Sequence, residues 1–180
     1  MSAMKYLSAY PPALVEQVRR LMAEGRLASA LQGRYGAAHA VRTDGALCDY
    51  VGELKARYLR KAEPLSKVCY DNTLHVVRHA LGTHTTVSRV QGSKLKSKRE
   101  IRIAGLFRAV PEPFLRMIAV HELAHLKARD HDKAFYQLCT HMEPDYHQFE
   151  FDLRVYLCHL EAGGEALWPL SGSSAPEAED

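Results

Sequence analysis

The segment His121-Glu122-Leu123-Ala124-His125 sets two imidazoles four residues apart with a carboxylate beside the first, and His131 follows six residues later. On an α-helix, residues four apart lie about 40° from each other around the axis, one turn on. His121 and His125 can therefore offer ring nitrogens to one ion. Glu122, next to the first ligand, can touch a metal-bound water without ligating. That is the chemistry of a catalytic zinc site: imidazoles hold one Zn²⁺ per chain and the glutamate takes a proton from its water. A shuffled chain of this composition spells HExxH in about 3–4% of cases, and adds a third histidine at the position a zinc site uses in about 0.2%. The alternative is a buried helix whose histidines bond to backbone carbonyls. Three histidines and a glutamate make such a core costly, because each polar group needs a partner.

The third ligand constrains the backbone. Six more helical residues would carry His131 about 240° around from His125. The helix must therefore end between Leu126 and Asp130. Metzincin sites place a glycine midway through this segment for the turn. Here Ala128 stands there with no glycine nearby, and Asp130 is the residue most tolerant of unusual dihedrals. Asp132 is placed to cap the next helix. Glu143 and Glu150 remain rival third ligands. A second ion on His75, His79 and His84 is disfavoured, since His75 and His79 on one strand lie about 13 Å apart. His141, His147 and His159 read as surface or packing residues.

The elements that carry these residues follow from periodicity. Residues 12–32 place Leu14, Val15, Val18, Leu21, Met22 and Leu27 at helical spacing, and a second helix runs over 46–59 after Thr43-Asp44-Gly45. From 67 to 103 β-branched runs broken by Gly, Asn and Thr predict strands near 67–70, 74–80, 84–90 and 99–105, the last pair joined by the loop "QGSKLKSK". Val110-Pro111-Glu112-Pro113 starts the metal helix, which is apolar nearly all round. Two more helices follow near 132–142 and 145–162.

With 180 residues, 47% apolar and 25% charged, the chain can fold as one domain without staples. The reading is a single domain over 1–162, with helices in 1–62 and the sheet and metal core in 67–162. An acidic tail over 163–180, rich in Gly, Ser, Pro and Glu, is expected to be disordered. No run of 18 apolar residues exists and the N-terminus lacks a signal-peptide core, so the expectation is a cytoplasmic protein with no membrane partner. Cys48, Cys69, Cys139 and Cys158 then read as reduced, mostly buried thiols. The formal charge is +3, and about +7 without the tail. Arg89, Lys94, Lys96, Lys98, Arg99 and Arg102 form the densest basic cluster. It permits nucleic-acid contact. Without interleaved aromatics, a solvated hairpin is the favoured reading.

The stretch from Ser88 to His147, with His121-Glu122-x-x-His125, His131, Lys133 to Phe135 and "MEPDY" at Met142 to Tyr146, resembles the YgjP-like metallopeptidases, relatives of the SprT and WLM zinc proteases. The resemblance covers about residues 85–160. It implies a small zincin-like α+β fold, a short sheet over the metal helix, with His121, His125 and His131 as ligands and Glu122 as base. Many relatives carry Trp-Gly-Ser-Cys after the strand arginine, whereas Arg89 is followed here by Val90-Gln91-Gly92-Ser93-Lys94. Tyr146 fits the family pattern and could donate to the oxyanion of a tetrahedral intermediate, the alternative being aromatic packing. Met142 could floor the site or be plain core. The leading expectation is a zinc metallopeptidase acting on protein or peptide, with extended substrate adding to the strand at 99–105. The rivals are a DNA-associated, SprT-like protease and a non-catalytic zinc-stabilised scaffold.

Overall fold

A computed structural model describes residues 3–74, 82–91 and 94–170. The fold is α+β: six helices and a three-stranded sheet among the described residues. A short 3-10 turn (Ala3–Leu7) precedes α1 (Pro12–Ala23), α2 (Leu27–Arg34) and α3 (Asp44–Tyr58). The single helix expected over 12–32 is two. Gly25 at φ 67° breaks it, a left-handed conformation that glycine adopts without steric cost. Thr43 opens α3 by accepting the Ala46 N–H through its hydroxyl at 3.1 Å.

The sheet order is β1-β3-β2, with β1 (Lys67–Asp71) parallel to β3 (Lys94–Ala104) and β2 (Gly82–Gln91) antiparallel to it. Most of the expected loop "QGSKLKSK" is therefore strand. Lys94 to Lys98 pair with Gln91 to Val87, because ladder hydrogen bonds outweigh a composition that reads as loop. The strand expected at 99–105 belongs to β3 and lies in the middle of the sheet, so it is not an edge to which a substrate could add. β2 is an edge. The strand expected at 74–80, with His75 and His79, lies outside the described residues apart from Leu74.

Ile101 and Ile103 of β3 alternate inward beside Val68 and Tyr70 of β1. The sheet meets α4 (Glu112–Ala124), in which every residue from Phe114 to Ala124 except Arg116 is buried, as the all-round apolar pattern predicts. α5 (Lys133–Met142) and α6 (Tyr146–Glu161) also pack on α4. Part of the segment expected to be a disordered tail from residue 163 is packed: Leu167 and Trp168 are buried, with the Trp168 ring edge-on to Phe114 and Tyr156 at 5.8 and 5.0 Å. Apolar burial holds residues 163–170 against the body, and 171–180 lie outside the described residues. Cys69, Cys139 and Cys158 are buried free thiols, and Cys48 is exposed. No described helix is long and apolar enough to cross a membrane.

Candidate metal centre

Pro111 and Pro113 bracket the start of α4, where a missing N–H costs nothing, and the helix carries His121 and Glu122 in its last turn. The helix ends just before the expected range of Leu126 to Asp130. α-Helical geometry stops at Ala124 with His125 as the cap, and the next N–H groups bond three residues back, Leu126 to Leu123 and Lys127 to Ala124, both at 3.0 Å. This 3-10 tightening turns the chain without a glycine. It also fixes an imidazole: the His125 Nδ1–H donates to the Ala128 carbonyl at 3.1 Å. Asp132 caps α5 as expected, accepting the Phe135 N–H at 2.9 Å.

That turn brings His131 back. The three Nε2 atoms lie 3.3 Å (His121–His125), 3.2 Å (His121–His131) and 3.0 Å (His125–His131) apart. Four-coordinate zinc with Zn–N near 2.0–2.1 Å requires ligand nitrogens about 3.3–3.4 Å apart. The donor set fits a tetrahedral metal ion, and these three are the residues that could hold one among those described. His121 is buried, His125 half-buried and His131 exposed, so the triad is open on one side. The Phe135 ring packs against all three imidazoles at 4.6–4.9 Å. The rival ligands are engaged elsewhere: Glu143 with Arg116 at 2.5 Å and Glu150 with Arg154 at 3.0 Å.

Burial dominates the electrostatics. It pulls His121 down to about 3, with His125 and His131 adding repulsion, and it lowers His125 as well. Both rings are kept neutral, the form in which imidazole ligates. Burial pushes the Glu122 carboxyl up to about 8, and neither of its oxygens has a hydrogen-bond partner among the described residues. A buried orphan carboxyl is rare and signals a partner that the protein alone does not provide.

Tyr146 sits on the far side of His121. Its hydroxyl lies 2.7 Å from His121 Nδ1, and the residue is fully buried. This placement suits orienting the imidazole rather than reaching an oxyanion on the Nε2 side. Met142 is fully buried core, with its carbonyl accepting from Arg116 Nη2 at 3.1 Å. Two of the basic-segment cations are paired, Arg99 with Glu63 at 2.5 Å and Arg102 with Asp71 at 3.1 Å and Glu100 at 3.2 Å. The side chains of Arg89, Lys94, Lys96 and Lys98 lie outside the description, as does that of His84. Sequence reasoning missed the contribution of Phe135 against the triad. The signal was there: an apolar position in the first turn of a capped helix turns inward.

Comparison with known proteins adds two findings. The profile of the family described as "YgjP-like, metallopeptidase domain" matches residues 69–156. An Escherichia coli (strain K12) protein named UTP pyrophosphatase is 58% identical over 163 residues, spanning 91% of this chain and 98% of that protein. No solved structure matches. The matched span contains all three histidines, Glu122 and Tyr146, and with an identity of that extent the chain belongs to the YgjP-like family.

Proposed function

We propose that this protein is a metal-dependent hydrolase that splits the phosphoanhydride of a nucleoside triphosphate of the UTP type into nucleoside monophosphate and pyrophosphate. The observation that carries it is the convergence of three imidazole nitrogens, open on one side, with a buried carboxyl one residue along the helix from His121 that has no partner among the described residues. The substrate class is taken from the relative's name, given 58% identity over nearly the full length of both chains. His121, His125 and His131 would hold the ion, and zinc is the choice for an all-histidine set with an open position. Bound there, a divalent ion supplies Lewis acidity at a phosphoryl or carbonyl oxygen and lowers the pKa of water.

The chain's own residues do the rest. Glu122, fully buried and adjacent in sequence to His121, would in its ionised form accept the proton of the attacking water, a form that a nearby bound cation favours against the burial that raises its carboxyl to about 8. Tyr146 and the Ala128 carbonyl hold the His121 and His125 rings by their Nδ1 atoms, leaving Nε2 of each for ligation. A pyrophosphate leaving group needs no protonation at neutral pH, so one carboxyl suffices for the proton traffic. Peptide hydrolysis asks more: a proton for the leaving amine, and stabilisation of a carbonyl oxyanion, for which Tyr146 is the sequence candidate.

A zincin-like peptidase is the second reading, favoured by the HExxH helix packed on a sheet and by the family's description as a metallopeptidase domain. In it, β2 would be the strand to which an extended peptide adds. The DNA-associated variant loses support from the pairing of Arg99 and Arg102. A zinc-stabilised scaffold would not need the open side of the triad. Product analysis separates these. Zinc-loaded protein incubated with UTP is expected to yield UMP and pyrophosphate in equal amounts. Intact UTP, together with Glu122-dependent cleavage of protein substrates, would establish the peptidase instead.

A further inference from the structure

A cleft of about 510 Å³ lies between α1, α2 and the N-terminal half of α6, within the size range of small-molecule sites. Its lining includes Tyr10, Arg34, His147, Gln148, Phe151 and Asp152. Asp152 is 3% exposed, and a carboxylate that deep needs partners. Its Oδ2 has three: Tyr35 Oη at 2.5 Å, Arg34 Nη1 at 2.9 Å and Gln148 Nε2 at 3.1 Å. Oδ1 takes no donor from the described residues. The Tyr10 and Phe151 rings meet edge-on at 5.0 Å and give the cleft an aromatic wall. Around the carboxylate, Arg34 (side chain 57% exposed) and Gln148 keep further N–H groups that no described residue takes up.

Resting on the pyrophosphohydrolase reading above, we propose that this cleft is the base subsite, and that it takes an imide nucleobase of the uracil type. The imide edge presents acceptor, donor, acceptor: two carbonyl oxygens flanking one N–H. Asp152 Oδ1 would accept that N–H, and the spare N–H groups of Arg34 and Gln148 would donate to the carbonyls. Cytosine presents an unprotonated ring nitrogen to the carboxylate and an amino group to the donors, so it is rejected at two positions. Guanine offers two adjacent donors, and the second oxygen that it would need, Oδ2, is already filled by Tyr35, Arg34 and Gln148. Position supports the assignment. His147 on the rim follows Tyr146, whose hydroxyl touches His121. Tyr136 bridges the remaining surface, its ring 5.4 Å from His147 and 6.4 Å from His131. A nucleotide with its base in the cleft would run its phosphates past His147 and Tyr136 toward the triad.

The test is calorimetric titration of the full-length protein with UMP and CMP, for the wild type, Arg34→Met and Gln148→Leu. UMP is expected to bind at least about tenfold more tightly than CMP, and each variant to lose that preference, because an unpaired buried polar edge discriminates strongly. Arg34→Met leaves Asp152 its Tyr35 and Gln148 partners, so the variant is expected to fold with a lowered thermal midpoint, and Gln148→Leu gives a second reading of the same site with the Arg34 ion pair intact. Absence of UMP binding, or a UMP preference retained in both variants, overturns the base subsite. Failure of the hydrolase reading shows separately, as intact UTP in the assay above.

Discussion

His121 is held from both sides: its Nε2 faces two other imidazoles and its Nδ1 meets the Tyr146 hydroxyl at 2.7 Å. Partners of this kind fix tautomer and ring orientation, and their loss typically costs 10–100-fold in metal affinity. Tyr146→Phe is therefore expected to weaken zinc binding by about that factor, measured by chelator competition, while the ring's packing in the core is kept. Unchanged affinity would reduce Tyr146 to packing. The convergence of His121 and His125 was legible in the sequence, because helical geometry turns a separation of four into a shared face, whereas His131, six residues on, demanded a turn whose form the spacing did not give. The role of Tyr146 was only half legible. The resemblance to the family pattern implied proximity to the site, but nothing in it told which ring nitrogen the hydroxyl would meet. The partners of Asp152 were not legible at all, since Arg34 and Tyr35 come from a segment more than 100 residues away and only Gln148 shares its helix.

Between α4 and α5, residues 125–132 convert a helix that presents two imidazoles into a turn that presents the third. The sequence demanded such a turn, and its glycine-free solution is 3-10 tightening from Leu126 with the Asp132 cap behind it. Asp132→Ala is expected to cost about 1 kcal/mol in denaturant unfolding of the metal-free protein, the usual value of an N-cap. A second effect should follow in the metal-loaded state, since the cap sits next to His131 and its loss loosens that ligand. Helical segments were legible from their repeating apolar positions, and the starts of α3 and α5 from Thr43 and Asp132, but the division of residues 12–32 into two helices was not. The β2–β3 ladder was only partly so: Lys94 to Lys98 carry little β propensity, and partner-strand hydrogen bonding decides their state. The break at Gly25 needed a positive φ that composition alone does not announce.

For the molecule as a whole, the candidate metal site joins the buried end of α4 to the turn that follows it, so occupancy and stability are expected to be linked. Chelation is expected to lower the thermal midpoint, and zinc at a thousandfold excess over its Kd to restore about 4 kcal/mol. An equal midpoint with and without metal would contradict a resident ion. Trp168 ties the segment after α6 to Phe114 and Tyr156. Trp168→Ala is expected to destabilise by about 3–5 kcal/mol in urea unfolding, as for a large core aromatic, whereas a residue in a disordered tail would leave stability unchanged. The low-complexity composition hid this anchor: one tryptophan and one leucine do not make a period, yet their burial fixes residues 163–170 on the body. The most direct measurement of the central claim compares zinc-loaded wild type with Glu122→Gln, reading pyrophosphate release from UTP and metal per chain in the same samples. The expected result is one zinc in each and at least about a hundredfold loss of release in the variant, the scale of general-base catalysis. Equal release from both proteins, or none from the zinc-loaded wild type, would contradict it.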